Sequence, residues 1–326
     1  MKVLLVSPAF HGYWQALEAA LASLGHDATA HCYDSGDRFG NALAHRLPGS
    51  GFAERVRERA AEAAVQKLRS LNPDAVLVVK GDALGDTWWD AVATSGVQSA
   101  LWLYDELERM SYTDAQMSVA DQVYSYSPND VQTLRGRGIG AEHLADGYDS
   151  LTKFVPTRVD GVSFIGARYP ERERLLRILA RAGEPAQAWG REWSRHPWDI
   201  VRTRRWTSSG VPAHRDIARA GYYGVMAGST ATLNVHGEGH DGLSMRTFEA
   251  PGVGALQLID RPEVERYYEV GAETLVFRSD DELIEHVQRA RREPAWALDV
   301  REAGRRRTLA EHTLVHRMQE VTRRWA

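Results

Sequence analysis

The 326-residue sequence has one cysteine, no long apolar run and no strong excess of either charge. The single cysteine, Cys32, excludes an intramolecular disulfide and a metal site built from several cysteines. A net charge of −4 provides no overall basic field for nucleic acid or an anionic membrane, although it leaves room for a local basic patch. The apolar run after Met1 ends at Pro8 and is too short for a signal sequence or a membrane span.

These absences favour a cytoplasmic protein without an integral membrane segment. Its partners should be small molecules or other proteins and not nucleic acid, and a homodimer is left open. A composition of 43% hydrophobic and 26% charged residues is that of a globular protein, and the length favours two domains.

Buried strands alternate with helices in both halves of the chain. Apolar runs at Val3–Val6 and Ala75–Val79 are typical of parallel strands covered on both faces, and a strand at Val162–Ile165 starts a second α/β series. The pattern breaks near Asp149–Gly161, so residues 1–155 and residues 156–307 should form separate domains. We predict an α/β protein with two Rossmann-like domains that face a cleft, with ligands at the carboxyl ends of the strands.

Other segments give less regular patterns. A helix rich in Ala, Glu, Arg and Leu is predicted over Ala53–Leu71. Asp34–Gly51 is predicted to be a long loop, and Arg191–Pro212 is irregular. A helix near Ala213–Tyr223 should follow, and helical chain should run from about Ala295 to the end.

The stretch Leu233–Asp260 contains a strand, a glycine-rich turn, a helix and a second strand. Backbone N–H groups at such a helix start favour an anionic ligand. A helix that starts near Leu243 places Glu249 about two turns in, where its carboxylate can accept both hydroxyls of a ribose. Arg246, three positions earlier, shares that face and can bind a phosphate.

A charge-assisted bond from Arg246 to phosphate contributes ~1.5–3 kcal/mol, whereas a helix terminus contributes ~0.3–1 kcal/mol. The arginine should therefore matter more than the helix dipole. The alternative is an Arg–Glu surface pair beside a structural turn.

Three weaker candidates lie elsewhere in the second half. Gly166 and Arg168 belong to a small turn that could bring N–H groups and a guanidinium to the same anion, or could be an ordinary tight turn. Trp189 ends a strand and could stack on a nucleobase. Five other aromatic residues of this region are expected to pack in the core or to form an acceptor surface: Trp193, Trp198, Trp206, Tyr222 and Tyr223.

Three residues of the first half are candidates for acid–base chemistry. His11 follows the first strand directly and could take a proton from an acceptor hydroxyl at neutral pH, unless it is simply solvated. Asp82 and Asp105 follow later strands and are competing base or orienting candidates. The sequence contains no HExxH, CxxC, DxD or GxxxxGK[ST] motif, so it does not indicate an obligatory metal site or a P-loop.

Several short motifs together resemble a known family. They are N-V-H at Asn234–His236, D-G-L-S-M-R-T-F-E-A at Asp241–Ala250, F-I-G at Phe164–Gly166, W-G at Trp189–Gly190 and S-Y-S-P-N-D at Ser125–Asp130. The chain resembles the GT-B glycosyltransferases, in particular the CgeB-like (spore-maturation-protein-like) group with its R-x-F-E signature. The resemblance implies metal-independent sugar transfer from a nucleotide-diphosphate sugar, UDP- or dTDP-type, to an acceptor hydroxyl on a small molecule, glycan or protein. No cofactor beyond this donor is implied.

The resemblance also assigns roles to residues. Glu249 matches the glutamate that binds the donor ribose, and Asp241, Gly242 and Leu243 match the turn that meets the diphosphate and sugar. Arg246 falls on the family's arginine, and Gly166 with Arg168 falls on its first glycine turn. His236 belongs to the matched N-V-H motif on the donor side. His11 corresponds by layout to the base of inverting enzymes, and residues 308–326 to the helix that returns to the N-terminal domain.

The sequence departs from related retaining families at Asp241, where they carry glutamate, so the stereochemistry stays open. A nucleotide-sugar 2-epimerase of the same fold and a non-catalytic sugar-nucleotide-binding protein are the alternatives.

Overall fold

The computed structural model describes residues 1–35, 50–237 and 241–325, which divide into two compact units. The first comprises Met1–Asp146 and Leu314–Ala326, and the second comprises Gly147–Thr313. The sequence-based boundaries lie later at the first junction, after residue 155, and earlier at the second, before residue 308. The backbone N–H of Tyr148 donates to the carbonyl of His312 at 2.9 Å, and Tyr148 pairs with Thr313, which fixes both ends of the second unit.

The first unit is a six-stranded parallel sheet with strand order β2-β1-β3-β4-β5-β6. Its strands are β1 Lys2–Ser7, β2 Asp27–Cys32, β3 Ala75–Val79, β4 Gln98–Leu103, β5 Gln122–Ser125 and β6 Ala141–His143. Its helices are α1 Tyr13–Ser23, α2 Gly51–Leu71, α3 Gly85–Ser95, α4 Asp114–Met117 and α5 Pro128–Gly136, with 3₁₀ turns at Phe10–Gly12 and Leu107–Arg109.

The two faces of this sheet have separate cores because side chains alternate along each strand. Leu4 and Val6 of β1 pack with residues of α2 and α3. Val3 and Leu5 pack with α1 and with the last helix of the chain. Both faces are covered by helices, as the continuous apolar strands require.

The second unit is also a six-stranded parallel sheet, with strand order β12-β11-β10-β7-β8-β9. Its strands are β7 Val162–Ile165, β8 Ala186–Trp189, β9 Ala213–His214, β10 Ala231–Asn234, β11 Gln257–Ile259 and β12 Leu275–Val276. Its helices are α6 Pro170–Arg181, α7 Pro197–Thr203, α8 Arg219–Gly228, α9 Arg246–Gly252, α10 Asp280–Arg292 and α11 Pro294–Glu311, with a 3₁₀ turn at Pro262–Arg266. Helix α12, Leu314–Thr322, belongs to the first unit.

The prediction of two Rossmann-like α/β domains is confirmed, and several local predictions need correction. Helix α9 begins at Arg246 and not near Leu243, so Glu249 lies in its first turn. The helix expected near Ala213–Tyr223 begins only at Arg219, because Ala213 and His214 pair with β8 as a short strand. The segment expected to be irregular contains α7. The predicted loop Asp34–Gly51 lies largely outside the described residues.

Candidate functional site

Helix α9 is fixed to the sheet of the second unit by buried polar side chains. Nδ2 of Asn234, at the end of β10, donates to Oγ1 of Thr247 at 3.2 Å and to Oε1 of Gln257 at 3.1 Å. Nε2 of Gln257 donates to Oγ1 of Thr274 at 3.0 Å. All four residues are fully buried or nearly so. Because Thr247 lies between Arg246 and Glu249, this network sets the position of both candidate residues.

Glu249 is a buried carboxylate, 2% exposed, that is held by two tyrosines of α8. Its Oε1 accepts the hydroxyl of Tyr223 at 3.2 Å and also the hydroxyl of Tyr222. A buried carboxylate requires such donors because burial removes its hydration. The interpretation of Glu249 as half of a surface Arg–Glu pair is therefore wrong. The tyrosines, which the sequence suggested as packing or acceptor residues, hold its carboxylate.

Arg246 extends towards the end of β7. Its Cζ lies 5.7 Å from the centroid of the Phe164 ring. Its Nη2 would lie 3.3 Å from a Cβ placed on Gly166, whose φ of 147° is also unfavourable for other residues. The buried Nε of Arg246 has no hydrogen-bond partner among the described residues. Because Gly166 has no side chain, it leaves space for the guanidinium of Arg246, whose Nε can donate a hydrogen bond to a ligand.

A second guanidinium lies against the same ring. Cζ of Arg172, in the first turn of α6, is 5.3 Å from the Phe164 centroid. Its Nε and Nη2 donate to the carbonyl of Val235, just after β10, at 3.0 and 2.7 Å. Burial, and next the charge of Arg246, lower the pKa of Arg172 to about 10. The positive charges of Arg172 and Arg246 repel each other, and a bound anion would relieve that repulsion.

His236 anchors the loop that precedes α9. Its Nδ1 lies 3.0 Å from Oδ1 of Asp260, and the backbone N–H of Ser244 donates to its Nε2 at 3.2 Å. Nε2 therefore accepts, and the proton lies on Nδ1. Burial lowers the pKa of His236, against the opposing effect of Asp260. The imidazole acts through Ser244 in this arrangement and does not itself present a donor to a ligand.

The turn after β7 offers less to an anion than the sequence suggested. The Arg168 side chain is buried, with Nε 2.7 Å from Oε2 of Glu173 and Nη1 donating to the carbonyl of Thr207 at 2.8 Å. The backbone N–H of Gly166 donates to the carbonyl of Trp189 at 3.0 Å. In this structure the turn supplies space beside Arg246, while its arginine stabilises the unit itself.

Two other donor-side predictions concern Trp189 and the glycine-rich turn. The Trp189 ring is 7% exposed and stacks on His214, with centroids 4.5 Å apart and an interplanar angle of 17°. Asp241 is half-buried, and Gly242 and Leu243 are buried. Residues 238–240 lie outside the described residues, so contact between this turn and a diphosphate stays a prediction.

The catalytic candidates all follow strand ends of the first unit. His11 is exposed, with a φ of 45°, and its ring meets Phe10 edge-on at 4.3 Å. Oδ2 of Asp105 pairs with Nζ of Lys80 at 2.9 Å. Burial raises the pKa of Asp105, but the hydrogen bond and charge of Lys80 outweigh it and leave the pKa below its usual value.

Asp105 is therefore a poor proton acceptor at neutral pH. Oδ2 of Asp82 accepts the backbone N–H of Ser111 at 3.3 Å. Of the three candidates, His11 combines an imidazole with the exposure that a general base needs.

Sequence reasoning missed Arg172, Tyr222 and Tyr223 as site residues. The sequence could have indicated Arg172, because residues in the first turn of a helix after a strand lie at the carboxyl edge of the sheet. It could not have indicated the tyrosines, since their contacts with Glu249 span 27 and 26 residues of sequence.

Among the described residues, no cluster of three or more His, Cys, Asp or Glu side chains could hold a metal ion. In the same part of the chain, no helix combines the length and apolar character needed to cross a membrane.

Comparison with known proteins relates part of the chain to a family model and the whole chain to a fold. A family model described as glycosyl transferase-like matches residues 170–323, from the start of α6 to the end of the last helix. With two parallel Rossmann-like sheets, the chain has the GT-B fold. The prediction of this fold is confirmed. A search of curated proteins found no match.

Solved structures share the fold at low sequence identity. Alr3699/HepE from Anabaena, in complex with UDP-glucose, has a TM-score of 0.66 at 13% identity, covering 99% of both chains. AviGT4, a glycosyltransferase of avilamycin A biosynthesis, has a TM-score of 0.63 at 14% identity, covering 100% of this chain and 97% of its own. The UDP-GlcNAc 2-epimerase of Neisseria meningitidis, bound to UDP-GlcNAc, has a TM-score of 0.62 at 12% identity, covering 99% of both chains.

Proposed function

We propose that the protein is a glycosyltransferase that takes a sugar from a nucleotide-diphosphate sugar, UDP- or dTDP-type, and transfers it to an acceptor hydroxyl without a metal ion. The observation that carries the proposal is the pair of guanidiniums at the ends of β7 and β10. Arg246 keeps a buried Nε without a partner among the described residues, and burial together with the charge of Arg246 lowers the pKa of Arg172. A diphosphate would satisfy both, and the cations would stabilise it as it departs.

Glu249 would bind the ribose of the donor. Tyr222 and Tyr223 hold its Oε1 and so fix the carboxylate at the start of α9. Two proteins of similar fold, HepE from Anabaena and the Neisseria epimerase, are described as complexes with UDP-sugars, which supports a UDP-type donor. The R-x-F-E sequence at Arg246–Glu249 supports placement in the CgeB-like group. A cytoplasmic location is part of the same proposal.

Calorimetric titration with UDP, dTDP and GDP tests the donor site. Glu249→Gln keeps an oxygen for the two tyrosines but loses the charge, so we expect nucleotide affinity to fall about 10- to 150-fold, the effect of a charge-assisted hydrogen bond of ~1.5–3 kcal/mol. Glu302→Gln, an exposed glutamate of α11, is the matched control and should bind as the wild type does. Equal affinity in Glu249→Gln and wild type for every nucleotide would remove Glu249 from the site.

His11 is the proposed general base for the acceptor hydroxyl. His11→Ala should lower turnover about 10²- to 10⁴-fold, the usual contribution of a positioned base. Donor affinity, measured in the same preparation, should not change. Near-normal turnover would exclude His11 from the mechanism and return attention to Asp82.

Product analysis separates transfer from the two alternative functions. Incubation with the donor alone should leave the configuration of its sugar unchanged, whereas a 2-epimerase would convert it. With acceptors present and EDTA added, transfer should continue. Nucleotide binding without transfer to any acceptor of a broad panel would instead indicate a non-catalytic binding protein.

A further inference from the structure

The segment between β8 and β9 exposes large apolar side chains on the second unit. Trp198 and Val201 of α7 are 65% and 59% exposed, and Trp206 is 67% exposed. Exposed tryptophans are unusual because a buried indole contributes a large apolar area to folding. The same segment folds around a buried side chain, Asp199, which is 4% exposed. It is therefore an ordered element with an apolar outer surface.

Three exposed residues of this element lie on one side of α7. Trp198, Val201 and Arg202 are three and four positions apart in α7, which places them on the same helical face. Arg204 ends the helix with a φ of 57°, and Nη1 of Arg195 donates to the carbonyl of Trp206 at 3.1 Å. The chain after the helix thus returns beside the residue before it. We call these residues the Arg–Trp face: Arg195, Trp198, Val201, Arg202, Arg204 and Trp206.

The charge around this face is positive although the whole chain is slightly negative. Residues 191–206 contain five arginines and two acidic residues. The acidic residues are engaged inside the unit: Oδ2 of Asp199 pairs with Nε of Arg215 at 2.9 Å, and Oε2 of Glu192 accepts the backbone N–H of Arg168 at 2.8 Å. Neither the side chain of Arg202 nor that of Arg204 has an ion pair or hydrogen bond within the described ranges of the chain.

We propose that the Arg–Trp face binds the surface of a bilayer that contains anionic lipids. Indole rings favour the boundary between headgroups and acyl chains, and arginines beside them bind lipid phosphates. Val201 adds an aliphatic side chain that a bilayer can bury and a nucleobase cannot stack on. A single-stranded nucleic acid, the other partner that combines charge with stacking surfaces, would require a longer basic groove than this short element provides.

Co-sedimentation of the full-length protein with vesicles tests the proposal. The protein should bind vesicles of phosphatidylcholine with phosphatidylglycerol, release them as salt is raised, and bind pure phosphatidylcholine weakly. Arg202→Gln with Arg204→Gln should reduce partitioning at least about tenfold, since each arginine near the surface contributes a factor of about five. Trp198→Ser with Trp206→Ser should also reduce it at least about tenfold, because it removes the indole rings that favour the headgroup boundary.

A control removes the same kinds of side chain from another exposed helix. Leu298→Ser with Arg306→Gln on α11 should partition as the wild type does, because these residues are exposed but lie outside the Arg–Trp face. Circular dichroism and nucleotide affinity should be unchanged in all variants. Failure of the wild type to bind the anionic vesicles would overturn the proposal, as would unchanged partitioning of both face variants. Tighter binding to oligothymidylate than to the vesicles would also overturn it, in favour of nucleic acid.

Discussion

Ser244 donates its backbone N–H to Nε2 of His236, and this bond fixes the protonation state of the histidine. An imidazolium has no lone pair to accept that hydrogen bond, so protonation would break it. Burial acts in the same direction and lowers the pKa below the ordinary value of 6.5. A single histidine therefore links solution pH to the loop that leads into α9.

The sign of the pH dependence follows from linkage. Below pH 6.5 the unfolded chain takes up a proton at His236 that the folded chain does not, so the free energy of unfolding falls as pH decreases through this range. One such group contributes at most about 1.4 kcal/mol per pH unit. His236→Gln keeps a donor and an acceptor but cannot titrate, so it should remove this part of the slope.

Urea unfolding between about pH 5 and pH 8 measures the effect. Burial also lowers the pKa values of His26 and His31, which will leave a residual slope in the variant. Above pH 7 the difference in stability between wild type and His236→Gln should be constant, and it should shrink towards lower pH. Parallel profiles for the two proteins would contradict the assigned tautomer.

At the scale of elements, α9 shows what a sequence can and cannot reveal. The spacing of Arg246 and Glu249 predicts that they share one short helix, and that local relation holds. Where the helix starts depends on contacts outside it. The backbone N–H of Ser244 donates to Nε2 of His236, and Oγ1 of Thr247 accepts a hydrogen bond from Nδ2 of Asn234. These two contacts hold the chain on either side of Arg246, where the helix begins.

The other differences between the predicted and the observed structure have the same origin. Strand β7 has its predicted bounds because Val162, Phe164 and Ile165 give an apolar signal, whereas β6 has only Ala141 among its three residues and gives none. The held carboxylate of Glu249 and the ion pair of Arg168 depend on which helices meet after folding. Local periodicity predicts elements, and only the packed unit determines which polar groups are left for a ligand.

At the scale of the whole molecule, the last helix returns to the first unit. Leu314, Met318 and Val321 of α12 are at most 1% exposed and pack in the same core as Leu17 and Leu21 of α1. Nε of Arg317 donates to the carbonyls of Ala145 and Asp146 at 2.8 and 3.0 Å, beside the point where the chain leaves this unit. The first unit is therefore completed by residues that follow the entire second unit.

Each unit has its own core, so damage to the returning helix should stay in the first unit. Met318→Ala removes a fully buried side chain and should lower the stability of the first unit by about 2–5 kcal/mol. Hydrogen exchange should quicken in α1 and β1 while β7 and β10 keep their protection, and nucleotide affinity should stay within about twofold. Gln319→Ala, on the exposed side of the same helix, is the control. Equal loss of protection in both sheets would mean that the units unfold as one, and the donor site would then depend on the last turns of the chain.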